Sequence, residues 1–183
     1  QGIILNREAR REEIAKQIKV LADEVNGTIP DDPGLLDEVT NLVEAPVALR
    51  GTFEEKYLAL PREVLVMVMR KHQRYFPVED TKGKLLPYFI AVRNGDAEHL
   101  DKVIHGNEHV LRARFSDADY FYNQDIKKPL KDYLERLSTL TFQEHLGSMR
   151  DKNERIVSTV ESVGKLLDAD TTATGIAQRA AHI

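Results

Sequence analysis

The chain has 183 residues, of which 42% are hydrophobic and 31% charged, with a formal net charge of −4 and no cysteine. This composition supports a folded core. It also excludes disulfide frameworks, thiolate zinc sites, iron–sulfur clusters and thiol nucleophiles. The longest apolar run, residues 64–69, is far shorter than the roughly 18 residues that span a bilayer. The charge excludes a uniformly basic nucleic-acid coat but permits a local basic patch.

Both ends have the features of an internal segment. Residue 1 is Gln, and no signal peptide precedes the first charged stretch. Residues 177–183 have the pattern of the middle of a helix, without a Gly or Pro stop. We therefore expect an excised piece of a longer polypeptide.

Two helices are predicted in the first 43 residues. Asn6 is a candidate N-cap and Asn26-Gly27 a left-handed stop. Asp32 followed by Pro33 predicts the start of a second helix. The apolar residues at helical spacing are Ile14, Ile18, Leu21 and Val25 in the first helix and Leu35, Leu36, Val39, Leu42 and Val43 in the second.

Strands are predicted over residues 46–51, 76–78 and 86–92. The last two flank an Asp/Gly turn at residues 80–83, which indicates a hairpin that needs further packing to be stable.

The remaining elements are predicted to be helical. Thr52 and Glu55 have capping-box spacing, and Pro61 starts a helix. Further helices are expected over residues 99–128 with a break near Gly106, 130–140, 149–167 and after an Asp170 cap.

The fold class is therefore α+β, a small mixed α/β module with a short antiparallel sheet followed by an all-α helical region. The expected organisation is an N-terminal helix or linker (residues 1–26), an α+β module (27–125) and a helical region (126–183).

Charge is distributed unevenly along the chain. Residues 26–60 hold seven acidic and two basic side chains, whereas residues 61–75 hold four basic and one acidic. We call residues 70–75 the basic segment. Cationic side chains can bind RNA phosphates, and neighbouring amide and aromatic side chains can contact the bases. The candidate RNA-binding residues here are Lys71, His72, Gln73, Arg74 and Tyr75. The alternative is a helix C-terminus whose bases complement the helix dipole.

Arg112 and Arg114 are two further candidates. Two residues apart on a helix, they point about 200° apart and cannot face one ligand. We expect one to pair with an acid such as Asp117 or Asp119 and the other to be exposed.

His105, Glu108 and His109 match an inverted zinc-protease pattern. Chance matches to so short a pattern are common, Gly106 weakens the required helix, and no other histidine has a spacing that selects it as third ligand. We therefore assign no metal site and no catalytic residue.

Six strings, taken in order, carry a family resemblance. They are residues 41–47, 60–65, 71–78, 106–114, 117–122 and 142–147, the last followed by Asp151-Lys152. In this order the chain resembles the beta subunit of bacterial-type, heterotetrameric glycyl-tRNA synthetase, from about Leu36 to Arg155 and weakly beyond. One departure is His109, where the family would have Arg.

The resemblance implies an enzyme that joins glycine to tRNA(Gly) with ATP and Mg²⁺. Its alpha subunit activates glycine, and its beta subunit contributes tRNA binding and assembly. This piece would itself be non-catalytic, hold no cofactor, and end in the start of a longer, HD-like helical domain. The implied partners are tRNA(Gly), the alpha subunit and other beta-subunit domains, with no membrane. The implied location is the cytoplasm or an organelle of bacterial ancestry.

Two hypotheses remain open. In the first, the basic segment contacts tRNA within a scaffolding region. In the second, the chain is a purely structural module that docks a partner through apolar faces such as Leu35, Leu36 and Val39.

Overall fold

The computed structural model describes residues 2–182, which form two compact units divided between residues 122 and 123. The N-terminal unit contains helix α1 (Arg7–Asp23), helix α2 (Pro33–Leu42), strand β1 (Pro46–Thr52), a 3-10 helix (Glu55–Ala59), helix α3 (Arg62–Met67), a π-helix (Val68–Gln73), strands β2 (Phe76–Glu79) and β3 (Leu85–Asn94), and most of helix α4 (Leu100–Asp125).

The first two helices begin where their capping residues predict. The Asn6 carboxamide oxygen accepts a hydrogen bond from Ala9 N at 2.9 Å, and Asp32 accepts one from Leu35 N at 2.9 Å. After α1 the chain turns at Asn26, whose φ of 52° is left-handed. Side-chain acceptors for otherwise unpaired amide groups thus fix both helix starts.

The three strands form one antiparallel sheet in the order β1-β3-β2. Pro46 of β1 pairs with Asn94 of β3, and Phe76 of β2 pairs with Ile90. The outer edge of β1 is covered by α1, where the Gln17 carboxamide donates to Pro46 O at 3.2 Å and accepts from Ala48 N at 2.8 Å. This contact occupies groups that would otherwise form an open sheet edge.

Alternation along β3 divides the core between the two faces of the sheet. Phe89 and Ala91 pack with α3, the π-helix and α4, whereas Ile90 packs with α1 and α2. The period of two in a strand places successive side chains on opposite faces. Helices therefore cover both faces of this sheet, and α1 belongs to the same core as the strands.

Gly51 makes close aromatic packing possible at the end of β1. It lies opposite Phe89, and a Cβ at Gly51 would come within 2.3 Å of the Phe89 ring. The Phe89 ring also stacks on Tyr75, at a centroid distance of 4.7 Å and an interplanar angle of 19°. Only glycine leaves room for this stack.

Two local expectations for the N-terminal unit are wrong. Thr52 and Glu55 form no capping box, because Thr52 still belongs to β1 and the next turn begins at Glu54 without a side-chain cap. Helix α4 runs without a break through Gly106, since Leu111 and Phe115 anchor it in the core.

The C-terminal unit contains a 3-10 helix (Leu130–Thr139), strands β4 (Thr141–Gln143) and β5 (Gly147–Ser148), helix α5 (Met149–Leu166) and helix α6 (Thr171–His182). The β4–β5 hairpin was not predicted, and the helix expected over residues 130–140 is a 3-10 helix. Ser148 and Asp151 form a capping box on α5, and Asp170 accepts from Ala173 N at 2.8 Å, as its predicted capping role requires.

The predicted α+β class is confirmed by a small antiparallel sheet with helices, followed by a helical region. Among residues 2–182, no helix combines the length and apolarity needed to cross a bilayer.

Candidate nucleic-acid interface

The basic segment lies where a helix converts into a strand. Apolar residues lead from α3 into the π-helix, which buries Val68 and Met69 and leaves Lys71 and His72 exposed. Arg74 then adopts a left-handed conformation with φ of 58°, which is uncommon for a non-glycine residue. Both π-helices and strained backbone are frequent at functional sites.

Two arginines of the segment are paired with acids of α2 and its cap. Arg74 donates from Nε to Glu38 Oε1 at 2.7 Å, and Arg70 donates from Nη2 to Asp32 Oδ1 at 3.0 Å. The Arg74–Glu38 pair is about half exposed on both sides. The acidic stretch before the segment therefore neutralises part of its charge.

The Tyr75 ring faces the core rather than solvent. It is 7% exposed, stacks on Phe89, and donates its hydroxyl to Asn107 Oδ1 at 3.0 Å. Burial raises the pKa of the Tyr75 phenol above its usual range. In this geometry the ring anchors the helix-to-strand corner and does not offer a face to a base.

The remaining residues of the segment are accessible. Lys71 and His72 are exposed, and Gln73 is half-buried. Within residues 2–182, Lys71 forms no ion pair with an acidic side chain. The segment thus presents a free ammonium beside an imidazole and an amide.

The two arginines of α4 differ in their partners. Arg112 pairs with Glu54 through its Nε at 2.7 Å, so the acid is Glu54 rather than Asp117 or Asp119. The pKa of Glu54 is lowered, first by its own backbone amide and also by Arg112, against the opposing effect of burial. Arg114 is exposed and forms no ion pair in the part of the chain that the structure describes.

Three residues within the family motif at residues 106–114 bind α4 to the sheet and to the residues next to it. Asn107 accepts from Tyr75, Glu108 Oε1 accepts from both Thr52 N and Thr52 Oγ1 at 2.8 Å, and Arg112 holds Glu54. Sequence reasoning assigned no role to Asn107, because nothing in its neighbourhood indicates which distant side chain it meets.

These contacts also bear on the zinc pattern. Because the Glu108 carboxylate is engaged by Thr52, it is not free to act beside His105 and His109, which are exposed on α4. Residues 2–182 contain no group of three or more His, Cys, Asp or Glu side chains placed to hold a metal ion.

The segment and α4 therefore contain two classes of candidate residue. Arg74, Tyr75 and Arg112 have intramolecular partners, while Lys71 and Arg114 are exposed cations. Arg114 lies two helical turns after Asn107, about 10 Å along α4.

Comparison with known proteins identifies the family. A sequence model described as the glycyl-tRNA synthetase beta subunit matches residues 1–183. The glycine–tRNA ligase beta subunit of Bacillus subtilis is 46% identical over 183 residues, covering 100% of this chain and 27% of that protein. Beta subunits with the same name from Dictyoglomus turgidum and Desulforudis audaxviator are 45% and 46% identical, covering 99% and 98% of this chain and 26% of each relative.

The chain thus spans about a quarter of the length of these curated relatives. Since the match extends over the whole sequence, the chain belongs to the glycyl-tRNA synthetase beta subunit family.

Proposed function

We propose that this chain forms part of a glycine–tRNA ligase, the complex that attaches glycine to tRNA(Gly) with ATP and Mg²⁺ in the cytoplasm. In this proposal the alpha subunit activates glycine, and residues 1–183 contribute RNA contact and domain scaffolding without catalysis. Family membership and the names of the relatives support the ligase assignment.

The tRNA contact is assigned to Lys71 and Arg114, assisted by His72 and Gln73. The observation that carries this assignment is a difference between the cations of the basic segment and α4. Arg74 and Arg112 each pair with an acidic side chain, whereas Lys71 and Arg114 are exposed and pair with none among the described residues 2–182. A free, exposed cation gains most from a phosphate, because no internal ion pair must first be broken.

Arg74 has a secondary role in this proposal. Exposed ion pairs contribute only about 0–1 kcal/mol, so a phosphate can replace Glu38 as the partner of Arg74 at little cost. Tyr75 and Arg112 are positioning residues that hold the surface in place.

The test is equilibrium binding of a tRNA(Gly) transcript to the complete synthetase carrying Lys71→Ala and Arg114→Ala. We expect binding to weaken roughly tenfold, equivalent to about 1.4 kcal/mol. A matched control removes two exposed lysines of the same unit, Lys16→Ala and Lys82→Ala, and should bind like the parent. Equal affinity of both double variants would refute the RNA role.

A second candidate function is a purely structural module. It is favoured by the engagement of Asn107, Glu108 and Arg112 within the fold. The face first suggested for docking is largely unavailable, because Leu35 and Val39 are 1% and 4% exposed within the core. If the double variant at Lys71 and Arg114 binds tRNA normally, this candidate replaces the first.

A further inference from the structure

The C-terminal unit has helices but no closed core. None of the described residues 123–182 is buried, although α5 carries a capping box and packs against α6. A unit of this size normally needs to bury most of its apolar surface to offset the entropy of ordering its chain. Its apolar side chains therefore need a cover from elsewhere.

The uncovered surface is an open cavity of about 590 Å³, which we call the apolar groove. One wall is an apolar stripe along α5 with the 4-3-4 spacing of a helix-packing seam, and the other is formed by α6 and the β4–β5 hairpin. The wall residues that define it are Ile156, Val160 and Val163 on α5, Leu167 directly after α5, Ala173 on α6 and Phe142 on β4.

The shape of the groove suits a helix. The α5 wall carries bulky aliphatic side chains, whereas Ala173 and Ala177 on α6 are small and leave space for an approaching backbone. The two walls are held at a fixed separation by close packing of Gly164 on Thr174 and by Asn153 Nδ2 donating to Ala181 O at 2.8 Å. Apolar residues spaced at i, i+3, i+4 and i+7 on a partner helix would fill such a groove.

The charges of the groove restrict the partner further. Lys152 and Arg155 line it and carry positive charge, and no acidic side chain is among its lining residues. An occupant with acidic residues along the edge of its apolar face would complement these two cations.

The length of the relatives indicates where such a helix resides. The chain covers only 26–27% of the curated beta subunits it matches, so about three quarters of such a polypeptide lies outside residues 1–183. A segment on the same polypeptide is present at an effective concentration of order mM, far above that of a separate subunit.

We propose that the apolar groove is filled by an amphipathic, acidic-edged helix from the part of the same beta-subunit polypeptide that lies outside residues 1–183. This inference rests on the proposal that the chain is part of a longer beta subunit, but not on RNA binding. Its occupant completes the core of the C-terminal unit.

The absence of native cysteine allows a direct test by thiol labelling. Val163→Cys places a thiol in the groove, and Ser158→Cys places a matched control on the opposite, exposed side of α5. Both variants are made in the 183-residue chain and in the complete beta subunit, and circular dichroism checks that each remains folded.

In the short chain we expect both thiols to react at similar rates. In the complete beta subunit, without the alpha subunit, Val163→Cys should react at least about tenfold more slowly while Ser158→Cys is unchanged. Amide hydrogen exchange of α5 in the unsubstituted proteins should likewise be slower in the complete beta subunit than in the 183-residue chain. This measurement tests the proposal even if Val163→Cys misfolds.

Three results would overturn the inference. If the Val163→Cys thiol is already protected in the 183-residue chain at low concentration, residues 1–183 themselves cover the groove. Protection that increases with the concentration of the short chain assigns it to a second copy. Protection that requires addition of the alpha subunit assigns it to that subunit. None of these results alters the tRNA affinity test, so the two proposals fail separately.

Discussion

Replacing Tyr75 by Phe separates a structural role of this residue from an RNA-binding role. The change keeps the ring stacked on Phe89 at 4.7 Å but removes the hydroxyl that donates to Asn107 at 3.0 Å. The bond is partly buried, so Asn107 loses a protein partner in a place that water reaches poorly.

The expected loss of stability follows from that bond. An intramolecular hydrogen bond contributes about 0.5–1.5 kcal/mol, and a buried group left unsatisfied raises the loss toward about 1–3 kcal/mol. We therefore expect a loss of about 1–2 kcal/mol for Tyr75→Phe, or a fall in Tm of roughly 2–8 °C. Tyr75→Ala should lose about 3–5 kcal/mol, because the ring itself leaves the core.

The assay is urea unfolding of the 183-residue chain followed by circular dichroism, with a double-mutant cycle to Asn107→Ala. The cycle should show coupling of about 0.5 kcal/mol or more between the two residues. The reasoning is refuted if Tyr75→Phe leaves stability unchanged but weakens tRNA binding, since the hydroxyl would then serve the RNA.

Two further predictions concern the same stack. Gly51→Ala should destabilise the chain by about 1–3 kcal/mol in urea unfolding, because the new Cβ meets the Phe89 ring; wild-type stability would contradict the close packing. Burial raises the pKa of the Tyr75 phenol above its usual value of 10.0. The buried neutral phenol therefore contributes its full stabilisation below pH 10.0, and this contribution is lost as the pH rises through the pKa of the folded state. The loss of stability between pH 9 and pH 11 should thus be smaller in Tyr75→Phe, and equal losses in both proteins would oppose this explanation.

Much of the N-terminal unit could be predicted because its signals are local. The Asn6 and Asp32 caps, the turn before β3 and the alternation along β3 each depend on residues close in sequence. In the C-terminal unit, the start of α6 could be predicted in the same way from the capping residue Asp170.

The pairing of charges could not be predicted in the same way. Whether Arg74 or Lys71 is free depends on how α2 approaches the π-helix, and Glu54 reaches Arg112 only through the tertiary fold. The β4–β5 hairpin escaped prediction because its two strands are three and two residues long and exposed, without alternating apolar side chains.

The most direct test of the central claim is the salt dependence of tRNA(Gly) binding by the complete synthetase. If Lys71 and Arg114 each contact a phosphate, the plot of log K against log salt should become shallower by about 1.4–1.8 in Lys71→Ala/Arg114→Ala. The control double variant at Lys16 and Lys82 should keep the parent slope. An unchanged slope in the first variant would contradict the claim that these two exposed cations hold the RNA.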